Sequence, residues 1–262
     1  MHPYLNIAIK AVRRAGTIIT RHIDQFDSVT FYEKGQNDLV TKVDTAVEED
    51  IIETIKKAYP HHAILGEETG QHPGEEFTWV IDPIDGTLNF VHGFPQFAVS
   101  IGIHYKDMPE HGVIYDPISQ DLYTASRGRG AQLNGKRLRV SKRDSLEGAL
   151  IATSFPFRNR ESHTVDQYLN VSKQLFSKSA DIRRVGSAAL NLAYVAAGRL
   201  DGMWETDLKP WDISAGLLLV KEAGGFVTDF SGNNDYFTNG NVIAGTAKVH
   251  GEMLKIIDSA LD

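Results

Sequence analysis

Apolar residues recur along this chain at two periods, and the changes of period lay out its elements. Behind Pro3, the residues Leu5, Ala8, Ile9, Val12, Gly16, Ile19 and Ile23 fall at helical spacing, which predicts an amphipathic helix over Pro3–Ile23. Val43, Val47, Ile51, Ile55 and Ala58 mark a second helix that stops before Pro60. Short apolar runs at Ala63–Leu65 and Thr78–Ile81, the latter ending at Asp82, read as buried strands. Phe97, Val99, Ile101 and Ile103 alternate with small or polar residues, the two-residue period of a half-buried strand. His111–Tyr115 and Leu122–Ser126 extend the series through the turn Asp116-Pro117-Ile118-Ser119, and Asn134-Gly135 marks a further hairpin.

The second half changes rhythm. Ala149–Thr153, Asp201–Glu205, Phe226–Phe230 and Val242–Ala244 read as strands. Val165–Phe176, Ser187–Gly198, Trp211–Ala223 and Val249–Leu261 read as helices, the third closed by Gly224-Gly225. The expectation is an α/β protein, a single unit over 1–262 with lobes at about 1–145 and 146–262. No linker-like tract separates the lobes, so they should share an interface.

Composition narrows the function. The chain of 262 residues has no cysteine, which excludes disulfides, thiolate metal sites and a cysteine nucleophile. It has no long apolar run and no secretory pattern at its start, so the reading is a cytoplasmic enzyme with no membrane contact. Its net charge of -7 gives no general attraction for nucleic acid. A phosphorylated substrate would need a local reversal of sign, which a bound divalent cation supplies.

The chemistry concentrates in Trp79-Val80-Ile81-Asp82-Pro83-Ile84-Asp85-Gly86-Thr87. An apolar strand delivers two carboxylates three residues apart, and Gly86 lets the backbone turn tightly beside a ligand. Amides of Gly86 and Thr87 can face an anion if a helix begins there. Glu67-Glu68 at a strand end and Asp212 at a helix start are the other acidic candidates. A surface pair and a first-turn acid facing the helix dipole are the plain alternatives for these two. If the carboxylates converge, each pair about 4 Å apart repels by roughly 4 kcal/mol at an effective dielectric near 20. Oxygen-only ligands select magnesium, manganese or calcium over zinc.

Gly66-Glu67-Glu68, Asp82-Pro83-Ile84-Asp85-Gly86-Thr87 and Trp211-Asp212-Ile213-Ser214-Ala215-Gly216 resemble, in order and spacing, the signature motifs of the inositol monophosphatase family. Asn37-Asp38-Leu39-Val40-Thr41-Lys42-Val43-Asp44 and Asn89-Phe90-Val91-His92-Gly93-Phe94-Pro95 extend the likeness, which runs through the whole chain. Met1-His2-Pro3 and Arg183-Arg184-Val185-Gly186-Ser187-Ala188-Ala189-Leu190 look closest to its bacterial SuhB branch.

The resemblance implies a layered αβαβα sandwich, usually a homodimer. It implies a Mg2+-dependent, lithium-sensitive phosphatase with two to three ions per site and a small phosphorylated polyol as substrate, foremost inositol 1-phosphate. It places one ion on Glu67, Asp82 and the Ile84 carbonyl, a second on Asp82, Asp85 and Asp212, and a weaker third near Glu67. Thr87, supported by Asp44, orients the attacking water. Gly86 and Thr87 bind phosphate oxygens, while Asp85, Ala188 and Glu205 contact the alcohol. Relatives with such a cradle act on fructose 1,6-bisphosphate, 3'-phosphoadenosine 5'-phosphate, histidinol phosphate or NADP. The SuhB branch also implies a regulatory contact with RNA and the transcription antitermination machinery.

Four weaker signals remain. Gly130–Arg137 approaches a phosphate-binding loop but lacks the closing Ser or Thr, and Gly128 and Gly130 read as strand-bending glycines. His61-His62 reads as a solvated connection. Arg183-Arg184 reads as a salt-bridged surface pair, with a phosphate clamp or an interaction patch as the alternatives. Lys34 by itself reads as solvated, and the resemblance implies a lysine there that offsets the acidic cluster.

Overall fold

The structure is a computed structural model that describes residues 2–23, 31–35, 38–155 and 165–261, with side chains described for 2–23, 42–155 and 165–261. The expectations for Lys34 and for the Asn37–Thr41 part of the earlier motif lie outside the described side chains.

The first half holds α1 (Pro3–Ile23), β1 (Phe31–Gly35), β2 (Asp38–Thr41), α2 (Lys42–Ala58), β3 (His62–Gly66), β4 (Gly70–His72), β5 (Glu75–Asp85) and the one-turn α3 (Thr87–Val91). Strands β6 (Ala98–Tyr105), β7 (Met108–Asp116), β8 (Asp121–Ser126), β9 (Gly130–Leu133) and β10 (Lys136–Arg137) follow. The second half holds β11 (Leu150–Thr153), α4 (Val165–Phe176), β12 (Asp181–Arg183), α5 (Ala188–Ala196), β13 (Gly202–Glu205) and α6 (Pro210–Glu222). It ends with β14 (Phe226–Thr228), α7 (Tyr236–Asn239), β15 (Val242–Gly245) and α8 (Ala247–Leu261).

Two large sheets and three helix layers alternate, and β1 and β2 pair as a separate antiparallel two-stranded sheet. The larger sheet has the order β10-β9-β8-β7-β6-β5-β3-β4 and is antiparallel except where β3 runs parallel to β5. The smaller sheet has the order β12-β11-β13-β15-β14. Helices α1 and α2 cover the outer face of the first, α4 and α8 the outer face of the second, and α5 and α6 fill the space between. This is the expected αβαβα sandwich. Each helix layer turns its apolar stripe onto a sheet: Val12, Ile19, Val47 and Ile51 onto Trp79, Ile81 and Ile101, for example.

Helix α6 matters most for the site, because it lies directly on β6 and β7. A Cβ at Gly102 would sit 2.1 Å from Ser214 Oγ, and one at Gly112 would sit 2.9 Å from the Ala215 carbonyl oxygen. Only glycine lets the helix approach this closely. The contact is sealed by a buried hydrogen bond between His104 Nε2 and the Ser214 hydroxyl.

Three local expectations change. Strand β5 does not stop at Asp82 but runs through Asp85, because β6 pairs with it on both sides of a bulge. His62 is not a solvated connection; it lies in β3, stacked on Tyr59 and Phe77, and accepts a hydrogen bond from Trp79 Nε1 at 3.0 Å. Gly128 and Gly130 do more than bend strands. Their left-handed backbone aims both amides at the Glu222 carboxylate, at 2.7 and 2.6 Å, which ties this loop to the end of α6.

Candidate functional site

The bulge in β5 brings the central carboxylates together. Asp82 pairs with Ser100 and Asp85 with Ala98, so three steps along β5 match two along β6. In a regular strand, residues three apart point to opposite faces. One extra residue at Pro83-Ile84 cancels that alternation, and proline, having no N–H, leaves no ladder donor unmet there. Carboxylate oxygens of Asp82, Asp85 and Asp212 consequently lie within 4.8 Å of one another. Asp212 arrives from the first turn of α6, where its Oδ2 accepts the Lys209 amide at 2.7 Å. The Ser100 hydroxyl also donates to the Trp211 carbonyl at 3.4 Å, holding the helix start over the strand that faces Asp82.

Glu67 approaches from the other side. Its amide donates to the Ile81 carbonyl at 3.2 Å, and its carboxyl group hydrogen-bonds that of Asp82. Burial first, then the charges of Glu67, Asp85 and Asp212, push the Asp82 carboxyl well above the ordinary range. Burial pushes Asp85 up to about 6, opposed by hydrogen bonds from Ser187 Oγ and from the Ala189 and Ala188 amides. Ser187 also caps α5, accepting the Leu190 amide at 3.2 Å, so this helix start serves the site directly.

Asp82 Oδ1 is buried and has no hydrogen-bond partner among the described residues. A buried acceptor left this way costs about 1–3 kcal/mol. A divalent cation fits here: the donors are oxygens, their charges repel without it, and one of them lacks any other partner.

Thr87 opens α3, and its hydroxyl is shared between Asp44 Oδ1 at 3.0 Å and the Ile84 carbonyl at 3.1 Å. Asp44 is fully buried on α2. Gly86 has φ 101, and a Cβ there would lie 3.0 Å from the Gln96 carbonyl oxygen, so this turn accepts glycine alone without strain. Asn89 fastens the same turn to the second half of the chain, its Nδ2 donating to the Val185 carbonyl at 2.9 Å.

Glu205 is buried at the end of β13. It accepts from Ser154 Oγ and from Asn191 Nδ2, both at 2.6 Å. Burial pushes its carboxyl up to about 7 despite these bonds, with the nearby Asp85 charge adding to the rise and Arg184 opposing it. Arg184 lies over the Phe155 ring at 5.0 Å, while Arg183 pairs with exposed Asp181. The two arginines therefore part company: only the second faces the Glu205 side.

Sequence reasoning missed Ser187, Asn191, Ser154 and Glu48. The last is a fully buried carboxylate on α2 that receives the Glu68 and Thr69 amides. Its signal was present in the sequence, since it falls four residues after Asp44 on the face of Val47 and Ile51.

A profile of the inositol monophosphatase family matches residues 1–261. The chain belongs to that family. Nus factor SuhB of Pseudomonas aeruginosa is 51% identical over 265 residues, covering 100% of this chain and 98% of the relative. The crystal structure of extragenic suppressor protein suhB from Bartonella henselae superposes with a TM-score of 0.94 at 40% identity, over 98% of each chain. An IMPase structure from Thermotoga maritima gives 0.89 at 37% identity, over 99% of this chain and 98% of that one. The family is a metal-dependent phosphatase family, and the buried acidic cluster of this member is of the kind that holds cations. Among the described residues, no helix is long and apolar enough to cross a membrane.

Proposed function

We propose that this protein is a Mg2+-dependent phosphate monoester hydrolase whose foremost substrate is inositol 1-phosphate. The observation that carries the reading is the meeting of Asp82, Asp85 and Asp212, together with a buried Asp82 oxygen that has no hydrogen-bond partner among the described residues. In it, Glu67, Asp82 and the Ile84 carbonyl would hold one ion, Asp82, Asp85 and Asp212 a second, and a third would bind weakly near Glu67. Bound there, the cations neutralise the acidic pocket, attract the phosphate, acidify water and stabilise the departing oxygen.

The chain's own groups do the positioning. The Thr87 hydroxyl donates a hydrogen bond shared between Asp44 and the Ile84 carbonyl, which leaves its lone pairs for the attacking water. Glu67 accepts from that water on the opposite side. The amides of Gly86, the residue capping α3, and of Thr87, its first residue, have no partner within the helix and take phosphate oxygens. Asp85, Ala188 and Glu205 line the place of the alcohol. The homodimer belongs to the same reading. Exposed Val165, Leu169 and Phe176 share one face of α4 and suit such an interface, which sedimentation velocity tests directly.

Phosphate release from phosphorylated polyols, sugars and nucleotides, with magnesium or with EDTA, tests the activity. Inositol 1-phosphate should lead the panel, and lithium in the tens of millimolar, the order of magnitude for a weakly held ion, should inhibit uncompetitively. Undiminished turnover after exhaustive EDTA treatment would sink the metal reading.

Glu205 gives a finer test of the substrate. Each of its oxygens keeps a second lone pair beyond the bonds from Ser154 and Asn191, enough to accept a ring hydroxyl. Glu205→Gln should cost about 1–3 kcal/mol in kcat/KM on inositol 1-phosphate and much less on an aryl phosphate, which has no vicinal hydroxyl. Equal losses on both substrates would remove Glu205 from substrate recognition.

A second role is favoured by a specific observation, the name Nus factor carried by a relative of 51% identity along the whole chain. In this reading the protein also joins the transcription machinery. Wild type and Asp85→Asn should retain transcription proteins equally in a pull-down, because assembly would not use the metal cluster. Retention by neither would set the role aside.

A further inference from the structure

Helix α2 buries two carboxylates, one turn apart, and each holds a different wall of the site. Asp44 receives the Thr87 hydroxyl. Glu48, also fully buried, receives two backbone amides of the corner between β3 and β4: Glu68 at 3.0 Å on Oε2 and Thr69 at 2.7 Å on Oε1. Glu67 stands at the start of that corner. The fit on the near side is equally tight, since a Cβ at Gly66 would lie 2.3 Å from Glu48 Oε1.

Glu67 therefore has two fastenings, its own amide to Ile81 in β5 and the Glu48 clasp on the two residues that follow. The first fixes where its backbone leaves the sheet. The second fixes the direction of the corner and so the path of the Glu67 side chain toward Asp82. A carboxylate is suited to this because it accepts at both oxygens, and hydrogen bonds to an ionised acceptor are stronger than neutral ones.

We infer that Glu48 is a positioning residue for Glu67 and sets the divalent-cation affinity on the Glu67 side of the site. The inference rests on the reading of Glu67 as a cation ligand. Glu48 itself touches neither cation nor substrate; it acts through the backbone of the corner. Groups that orient metal ligands commonly change affinity by about 10- to 100-fold when removed.

The informative variant is Glu48→Gln, which keeps the shape, retains one acceptor and turns an NH2 toward the second amide. Magnesium binding to the full-length protein is measured by isothermal titration and by the thermal shift it induces. Affinity should fall about tenfold, and the melting temperature in EDTA should stay within a few degrees of wild type. Turnover should fall at low magnesium and return at high magnesium, a shift in requirement that general damage to the fold would not give. Gly66→Ala, which pushes the Glu48 carboxylate from the other side, should reproduce the affinity loss.

A double-mutant cycle supplies the decisive comparison. In a Glu67→Gln background, adding Glu48→Gln should weaken magnesium no further. Wild-type affinity in folded Glu48→Gln, or an equal loss in both backgrounds, would overturn the positioning role. Unchanged affinity in Glu67→Gln alone would overturn the ligand reading beneath it, in a protein whose Glu48 is intact.

Discussion

Asp82→Asn should abolish phosphate release and, in the same preparation, raise the melting temperature measured in EDTA. The two effects share one cause. Asp82 is the most enclosed acid of the cluster, faced by Glu67, Asp85 and Asp212, and its charge is the hardest to keep without a cation. Asparagine keeps the shape and removes the charge, so the cation-free protein sheds repulsion. A gain of about 1–2 kcal/mol corresponds to roughly 2–6 °C for a chain of this size. In the proposed reading the same change removes the ligand shared by both ions, and turnover should drop by about 10^3-fold or more, the upper end for one electrostatic group in an active site. Magnesium should then barely stabilise the variant.

The contribution of the buried carboxyls to the pH dependence carries a definite sign. The folded-state carboxyls of Asp85, at about 6, and Glu205, at about 7, lie above their ordinary values, and Asp82 lies higher than usual as well. Between the ordinary and the raised value the folded protein binds more protons than the unfolded chain, so stability falls as pH rises through that window. Measured against Asp82→Asn, which cancels the opposite contribution of His104 and His111, both lowered by burial to about 4, cation-free wild type should accordingly lose stability between about pH 5 and about pH 8. The advantage of Asp82→Asn should widen over the same range. Magnesium stabilising Asp82→Asn as strongly as wild type would contradict the shared-ligand role.

Gly112→Val should unfold or severely loosen the molecule, although valine is favoured in strands. The added Cβ would lie 2.9 Å from the Ala215 carbonyl oxygen and 3.0 Å from its Cα. These are backbone atoms of a buried helix and cannot swing away, so α6 must lift off the sheet. Overpacking of this kind costs about 3 kcal/mol or more. The helix carries Asp212 at its start, and any residual fold should bind magnesium weakly. Gly251→Ala is the matched control. It lies inside α8, its Cβ would meet nothing within 4 Å, and alanine there should stabilise by up to about 1 kcal/mol. Thermal denaturation of the two variants should move in opposite directions. Similar melting temperatures would show that the close approach of α6 is not what glycine provides.

Much of this architecture was legible in the chain. Helix α4 appears over Val165–Phe176 as its periodicity predicts, and α1 over Pro3–Ile23, because an amphipathic stripe long enough to bury one face specifies a helix locally. The hairpin at Asn134-Gly135 follows from two residues that tolerate left-handed backbone, with φ 50 and 79. The oxygen-only character of the acidic set, and its cation class, also follow from residue type alone.

What the sequence by itself determined is therefore the longer helices and strands, the apolar face of each and the identity of the charged groups, since these depend on neighbours within a few residues. The short β1, β2, β4, β12 and α7 carry too little periodicity to be read. Only the tertiary structure decided which of those groups meet. Asp82 and Asp85 should diverge on a regular strand, and they converge because pairing with β6 forces a bulge between them. Asp212 reaches them across more than a hundred residues because Gly102 and Gly112 let α6 sit directly on the sheet. Glu48 meets the Glu68 and Thr69 amides only because the corner after β3 folds against α2. Local periodicity cannot report such meetings, because each is fixed by how layers pack.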